Sequence, residues 1–70
     1  MELTWVDFES GGVEIYALRE RGQILSTPFW IGKSEELPYI VWRRTKKIHT
    51  FDNLEDAKKY CEVCYALSGG

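Results

Sequence analysis

The spacing Cys61-x-x-Cys64 serves redox dithiols and zinc sites alike, and it is the first feature of this chain that could do chemistry. A reactive dithiol needs its thiolate stabilised by free N–H groups at a helix N-terminus. These two cysteines fall instead in the third turn of an amphipathic pattern, on its apolar arc. Zinc needs four ligands, and with His49 the only histidine a carboxylate would have to complete the set. The pair therefore reads as two small buried hydrophobes. His49 is equally isolated as a base, because no serine and acid are arranged with it as a nucleophile requires. Glu35-Glu36 and Glu55-Asp56 read as solvated charge, in a loop and on a helix surface. Neither Gly11-Gly12 nor Gly22 opens a helix, as a phosphate-cradling loop must. These residues predict no catalytic group, no metal and no cofactor, and so a protein that is not an enzyme.

The segment Trp42-Arg43-Arg44-Thr45-Lys46-Lys47 places four cations and an indole on one hairpin, which suits phosphate contact and base stacking. Residues 39–60, from Tyr39-Ile40-Val41-Trp42 through Lys46-Lys47 and Thr50-Phe51 to Ala57-Lys58-Lys59-Tyr60, resemble the last two strands and helix of two DNA-binding families. These are the arm-binding domains of tyrosine integrases and the ethylene-response-factor domains of plants. In both, a three-stranded sheet enters the major groove. The resemblance implies DNA contacts at Trp42, Arg43, Arg44, Lys46 and Lys47. The sequence departs from both families in its acidic first hairpin, with Glu2, Asp7, Glu9 and Glu14, and in its net charge of −2. Both features oppose DNA. The closing Gly69-Gly70 is similar to the diglycine tail of ubiquitin-like and sulfur-carrier proteins, but there it follows a strand and here a helix, so it reads as a helix stop.

Surplus aromatic area favours another role. One helix covers one sheet face, yet the strands offer apolar residues at both parities: Phe8, Ile15 and Phe29 in one set, Trp5, Tyr16, Leu18 and Trp30 in the other. An exposed aromatic face holds a protein partner or a second copy of the chain, since Trp and Tyr contribute much contact area at little entropic loss. The leading expectation is a noncatalytic protein-interaction module using Trp5, Tyr16, Trp30 and Trp42, with Arg43 and Arg44 at the rim. Small acidic chains of this type are expected among inhibitors or accessory factors of phages and mobile elements. The alternative is a nucleic-acid-binding domain using the hairpin 42–47.

The elements that must position these residues follow from periodicity. Thr4, Val6 and Phe8 alternate with Trp5, Asp7 and Glu9, which predicts a strand over about 2–9. Gly11-Gly12 turns the chain into an antiparallel return over 13–19, with Val13, Ile15 and Ala17 on one face. After Arg21-Gly22 a third strand is predicted over 23–31, with Leu25, Thr27, Phe29 and Ile31 sharing a face. Pro28, lacking an N–H, places that strand at an edge or a bulge. A polar loop over 32–36 precedes strands over 38–44 and 47–51, with a turn at Thr45-Lys46. Asp52 and Glu55 make a capping box, so a helix is expected over about 53–67. Its apolar arc holds Leu54, Ala57, Tyr60, Cys61, Cys64, Tyr65 and Leu67. The class is α+β, an antiparallel β-meander of four to five strands with one C-terminal α-helix packed on one face.

With 70 residues the chain makes a single domain with a thin core. No apolar run reaches the ~20 residues of a membrane span, no signal peptide opens it, and two cysteines are too few for a disulfide framework. A cytoplasmic location is expected. Charge is segregated, acidic over 1–14, basic over 41–50 and acidic again in the helix, which predicts a dipolar domain.

Overall fold

The computed structural model describes residues 2–23 and 26–68. The expectations at Leu25 and at Gly69-Gly70 lie outside them. Five antiparallel strands follow one another in the order β1-β2-β3-β4-β5: β1 Leu3–Ser10, β2 Val13–Glu20, β3 Phe29–Lys33, β4 Tyr39–Arg43 and β5 Lys46–Phe51. Helix α1, Leu54–Leu67, closes one face of this open meander. The fold is the α+β arrangement that the alternating patterns predict.

Gly11 (φ 59°) and Gly12 (φ 82°) make the β1–β2 turn in a left-handed conformation that only glycine adopts freely. Eight cross-strand pairs from Leu3↔Glu20 to Ser10↔Val13 then fix the first hairpin. The third strand corrects the sequence reading. It begins at Phe29 and runs through Gly32 and Lys33, which were expected in a loop, and it is the central strand of the sheet. Pro28 tolerates this because it stands just outside the ladder. Its carbonyl accepts from the Arg44 N–H at 2.7 Å, while the N–H of Phe29 is taken by the Thr27 hydroxyl at 3.2 Å. The second hairpin turns at Arg44-Thr45 instead of Thr45-Lys46, with Arg44 at φ 59°. The register shifts between Val41, opposite His49, and Trp42, opposite Lys47, so Ile48 is the extra residue of a β-bulge.

The helix cap also moves by one residue. Asn53, not Asp52, is the N-cap: its side-chain oxygen accepts from the Asp56 N–H at 2.8 Å, and its amide donates to the Asp56 carboxylate at 3.0 Å. The reciprocal pair satisfies an orphan donor and holds Asp56 at the positive end of the helix dipole. Asn53→Ala is expected to lower stability by about 1 kcal/mol, read from the urea midpoint with an unchanged slope.

The core is one layer of side chains between sheet and helix. Leu18, Ile31, Val41, Ala57 and Cys61 are fully enclosed, and Tyr16 and Phe29 nearly so. Leu67 lies on the apolar arc yet stays 82% exposed in the last turn of the helix. The helix lies over β3, β4 and β5, and long side chains carry it to the first hairpin. The Trp5 indole donates to the Glu62 carboxylate at 2.9 Å, and the Tyr65 hydroxyl donates to Glu20 at 2.9 Å. Lys58 Nζ sits 5.6 Å from the Trp5 ring and 5.7 Å from the Tyr16 ring. Among the described residues no helix is long and apolar enough to cross a membrane.

Candidate functional site: the open face of the sheet

Cross-strand pairing assigns the strand residues to faces, apart from the bulged Ile48, because side chains alternate along each strand. Trp5, Tyr16 and Leu18 share the helix side with Phe29, Ile31 and Val41. The opposite side, which no described element covers, carries one row of Val6, Ala17, Trp30, Trp42 and Lys47, and a second row of Phe8, Ile15, Gly32, Ile40 and Thr50. The single aromatic surface expected from sequence is thus divided. Trp5 is held by Glu62 and Lys58, and Tyr16 is buried with its hydroxyl donating to Glu14 at 2.7 Å. Only Trp30 and Trp42 face out together. The parity assignment fails at the β2–β3 crossing, where Ala17 pairs with Trp30 and Tyr16 with Ile31. The strand expected over 23–31 sets Phe29 with Phe8 and Ile15 and so hides that register.

The two indoles stack nearly parallel, with centroids 5.2 Å apart and 6° between planes. Three features hold them. They are directly opposed across β3 and β4, and Ala17 beside Trp30 leaves space on the sheet. The Trp30 Nε1–H donates to the Arg44 carbonyl at 2.8 Å, which ties the stack to the β4–β5 turn. Gly32 removes the remaining obstacle, since a Cβ there would lie 3.3 Å from Trp30 Cζ3 and 3.6 Å from Trp42 Nε1. Beside the stack Val13, Gly32, Ser34, Leu37 and Ile40 line a shallow groove of about 250 Å³. Phe8 is 47% and Leu37 52% exposed on this side. Gly32→Ala is expected to push the indoles apart, weakening the near-ultraviolet circular dichroism of the stacked pair while the far-ultraviolet spectrum stays unchanged.

Charge is sorted by the same alternation. The strand carboxylates Asp7, Glu9, Glu14 and Glu20 all have helix-side parity, whereas the open face has only Arg19 and Lys47 as charged strand residues among those described. Arg44 stands at the tip of the turn beside Trp30. Arg43 and Lys46 pair with each other on the helix side, Arg43 lying 5.8 Å from the Phe29 ring. The basic hairpin is therefore split, with Trp42 and Lys47 on one face, Arg43 and Lys46 on the other, and Arg44 between them.

Charge is sorted along the strands as well. The end with the β1–β2 turn, the 34–38 loop and the start of α1 carries Glu9, Glu14, Glu35, Glu36, Glu55 and Asp56. The other end carries Arg19, Arg21, Arg43, Arg44, Lys46 and Lys47 with Glu2 and Glu20 among them, as Lys33 stands among the acids of the first. The Arg21 guanidinium there lies 3.0 Å from Glu2, and Arg19 donates to the Gln23 carbonyl at 3.0 Å. The domain is dipolar, and its axis runs along the strands.

Cys61 and Cys64 are both free thiols, Cys61 in the core and Cys64 half-buried. No group of three or more metal-ligating side chains is assembled among the described residues. His49 stacks on Phe51 at 4.5 Å between centroids, and its ring nitrogen is bonded to the backbone of Thr50. The fold and the uncovered face together define a small open-faced α+β sheet domain. No family model, curated protein or solved structure matches the chain.

Proposed function

We propose that this chain is a noncatalytic protein-interaction module whose binding surface is the open face of the sheet, centred on the Trp30–Trp42 stack. The observation that carries the proposal is this ordered pair of half-buried indoles on the sheet face opposite the helix, among the half-buried Val6, Val13, Ile15 and Ile40 and the exposed Phe8 and Leu37. A sheet face of this composition exceeds what solvent exposure requires, and rigid aromatic residues at the centre of an apolar patch are the usual anchors of protein interfaces. Arg44 forms the rim. Arg43, expected beside it, belongs to the helix side. A role as inhibitor or accessory factor is the form such docking would take in a small chain.

Replacing both Trp30 and Trp42 by serine is the test. Partner capture or self-association is expected to fall by about a hundredfold or more, as loss of an interface anchor does, while folding is retained. Trp5→Phe, on the helix side, is expected to leave association unchanged. Association that survives the double serine variant would refute the proposal.

One observation favours nucleic acid as a second reading. The carboxylates Asp7, Glu9, Glu14 and Glu20 have the parity opposite to Trp42 and Lys47, and Glu2 is paired with Arg21, so most of the acidity that opposes DNA is not on the face that would meet it. On that reading, binding of a mixed-sequence duplex weakens steeply with salt and is lost when Arg44 and Lys47 become alanine.

A further inference from the structure

Resting on the open face as the binding surface, we infer that its occupant is a single acidic, apolar-bearing segment of another protein. It lies along β4, with an apolar side chain in the groove and carboxylates over the β4–β5 turn. The size of the face selects a segment. Five strands ~4.8 Å apart and averaging about six residues span on the order of 500 Å², short of the ~800 Å² per partner of a standard interface between folded domains and enough for one extended chain.

The layout of the face along the strands selects the chemistry. At one end Val13, Gly32, Ser34, Leu37 and Ile40 form the groove with the Trp30–Trp42 stack, and no cation of the open face stands there among the described residues. Beyond it Lys47 shares the cross-strand row of Trp42, and Arg44 caps the turn; both are exposed, and neither is in a salt bridge among the described residues. Arg44 is tied to Trp30 and Pro28 through its carbonyl and its N–H, which leaves the guanidinium outside those bonds. Arg43 and Lys46 add exposed cations on the other side of the same hairpin. The chain as a whole carries −2, so this end attracts the carboxylates that the rest of the molecule repels. From Ile40 to Arg44 is roughly 13 Å along β4, the reach of about four residues of extended chain. A nucleic acid strand fits this layout less well, because it carries a phosphate at every nucleotide. Lying along β4 it would set charge in the apolar groove, at the end of the molecule where Glu9, Glu14 and Glu35 line a cleft on the helix side. An amphipathic segment places its charge at one end only.

A displayed library of random peptides about ten residues long, selected on the immobilised wild-type domain and counter-selected on the Trp30→Ser/Trp42→Ser variant, tests this. The enriched peptides are expected to carry an aromatic or branched apolar residue and, about two to four residues to one side of it, Asp or Glu. A synthetic peptide of the enriched sequence, followed by fluorescence anisotropy, is expected to bind roughly tenfold more weakly to Arg44→Glu/Lys47→Glu than to wild type, and more weakly at high salt. The same peptide with Lys in place of its acids is expected to prefer the charge-reversed variant. Far-ultraviolet circular dichroism of each variant shows that it is folded. Enriched peptides that need both tryptophans but are neutral or basic overturn the acidic segment and leave the open face standing. Peptides enriched equally on the serine variant overturn both, and a library from which nothing is enriched overturns the segment. Binding of a mixed-sequence single-stranded or duplex oligonucleotide that is tighter than that of the peptide, and lost in Arg44→Glu/Lys47→Glu, overturns it in favour of nucleic acid. A wild-type dimer in sedimentation equilibrium that needs Trp30 and Trp42 overturns it in favour of self-association.

Discussion

Ile31→Ala is expected to destabilise the domain by about 2–5 kcal/mol, the range for removing an enclosed branched side chain from a core that cannot collapse around the gap. Ile31 is fully buried on the central strand, opposite Tyr16 on one side and Val41 on the other, with Ala57 and Cys61 of the helix in the same cluster. Backbone pairing on both sides holds the strand in place, so its neighbours have little freedom to move in. A chain of 70 residues has about 4–10 kcal/mol of stability in total, so the substitution removes a large part of it. The melting temperature is expected to fall by about 10–30 °C. Leu67→Ala is the matched control, since Leu67 lies on the same apolar arc but is 82% exposed; its urea midpoint is expected to match that of the parent. Equal effects at the two positions would mean that the core is not centred on β3.

The second large effect concerns the thiols. Burial, reinforced by the nearby Cys64 and Glu62, raises the Cys61 thiol from 9.0 to about 12. The thiolate is the reactive form, so at neutral pH the shift alone slows Cys61 by roughly a thousandfold relative to an ordinary cysteine, before steric exclusion adds to it. Cys64 is half-buried and lines an open groove with Phe29, Arg43, Tyr60 and Leu67. A thiol reagent added to folded protein is therefore expected to label Cys64 first and stop at one equivalent. The second equivalent is expected to enter only at the rate of global unfolding, with mass spectrometry locating each label. Simultaneous labelling of both residues would refute the enclosed position of Cys61.

The same burial makes the fold sensitive to base. Cys61 and Tyr16 are both held in their neutral forms. The Tyr16 hydroxyl is raised from 10.0 to about 12, chiefly by its hydrogen bond to Glu14 and then by burial. A folded-state value above the unfolded one favours the native state while both states are protonated. That advantage is retained below about pH 9 and lost as the unfolded chain ionises more readily between about pH 9 and 12. Urea midpoints are expected to be flat with pH in the neutral range on account of these groups and to fall through that alkaline window.

Much of this protein follows from local pattern alone. Period-two alternation placed the first hairpin to within a residue, because the Gly11-Gly12 turn and the flanking residues agree on one register. The helix was legible in its 3.6-residue apolar arc, and the burial of Cys61 in its place on that arc. Charge segregation along the chain was visible too, since it is a property of order alone. Local pattern misled where two readings were nearly equal in energy. Asp52 and Asn53 are both competent caps, and Asn53 prevails because Asp56 returns its hydrogen bond. Pro28 forbids a ladder position but does not say on which side of it the strand lies.

The site depended on tertiary structure throughout. Alternation states which residues of one strand share a face, but only cross-strand register states which faces of different strands coincide. The pairs Ala17↔Trp30 and Trp30↔Trp42 are contacts between residues more than ten positions apart, and nothing local to either partner encodes them. That register moved Trp5 and Tyr16 under the helix and left Trp30 and Trp42 outside. It also turned Asp7, Glu9, Glu14 and Glu20 away from the open face. Composition and periodicity determined the layers of this protein, while hydrogen-bonded register, which exists only once the sheet has formed, decided which aromatic and charged residues share a surface.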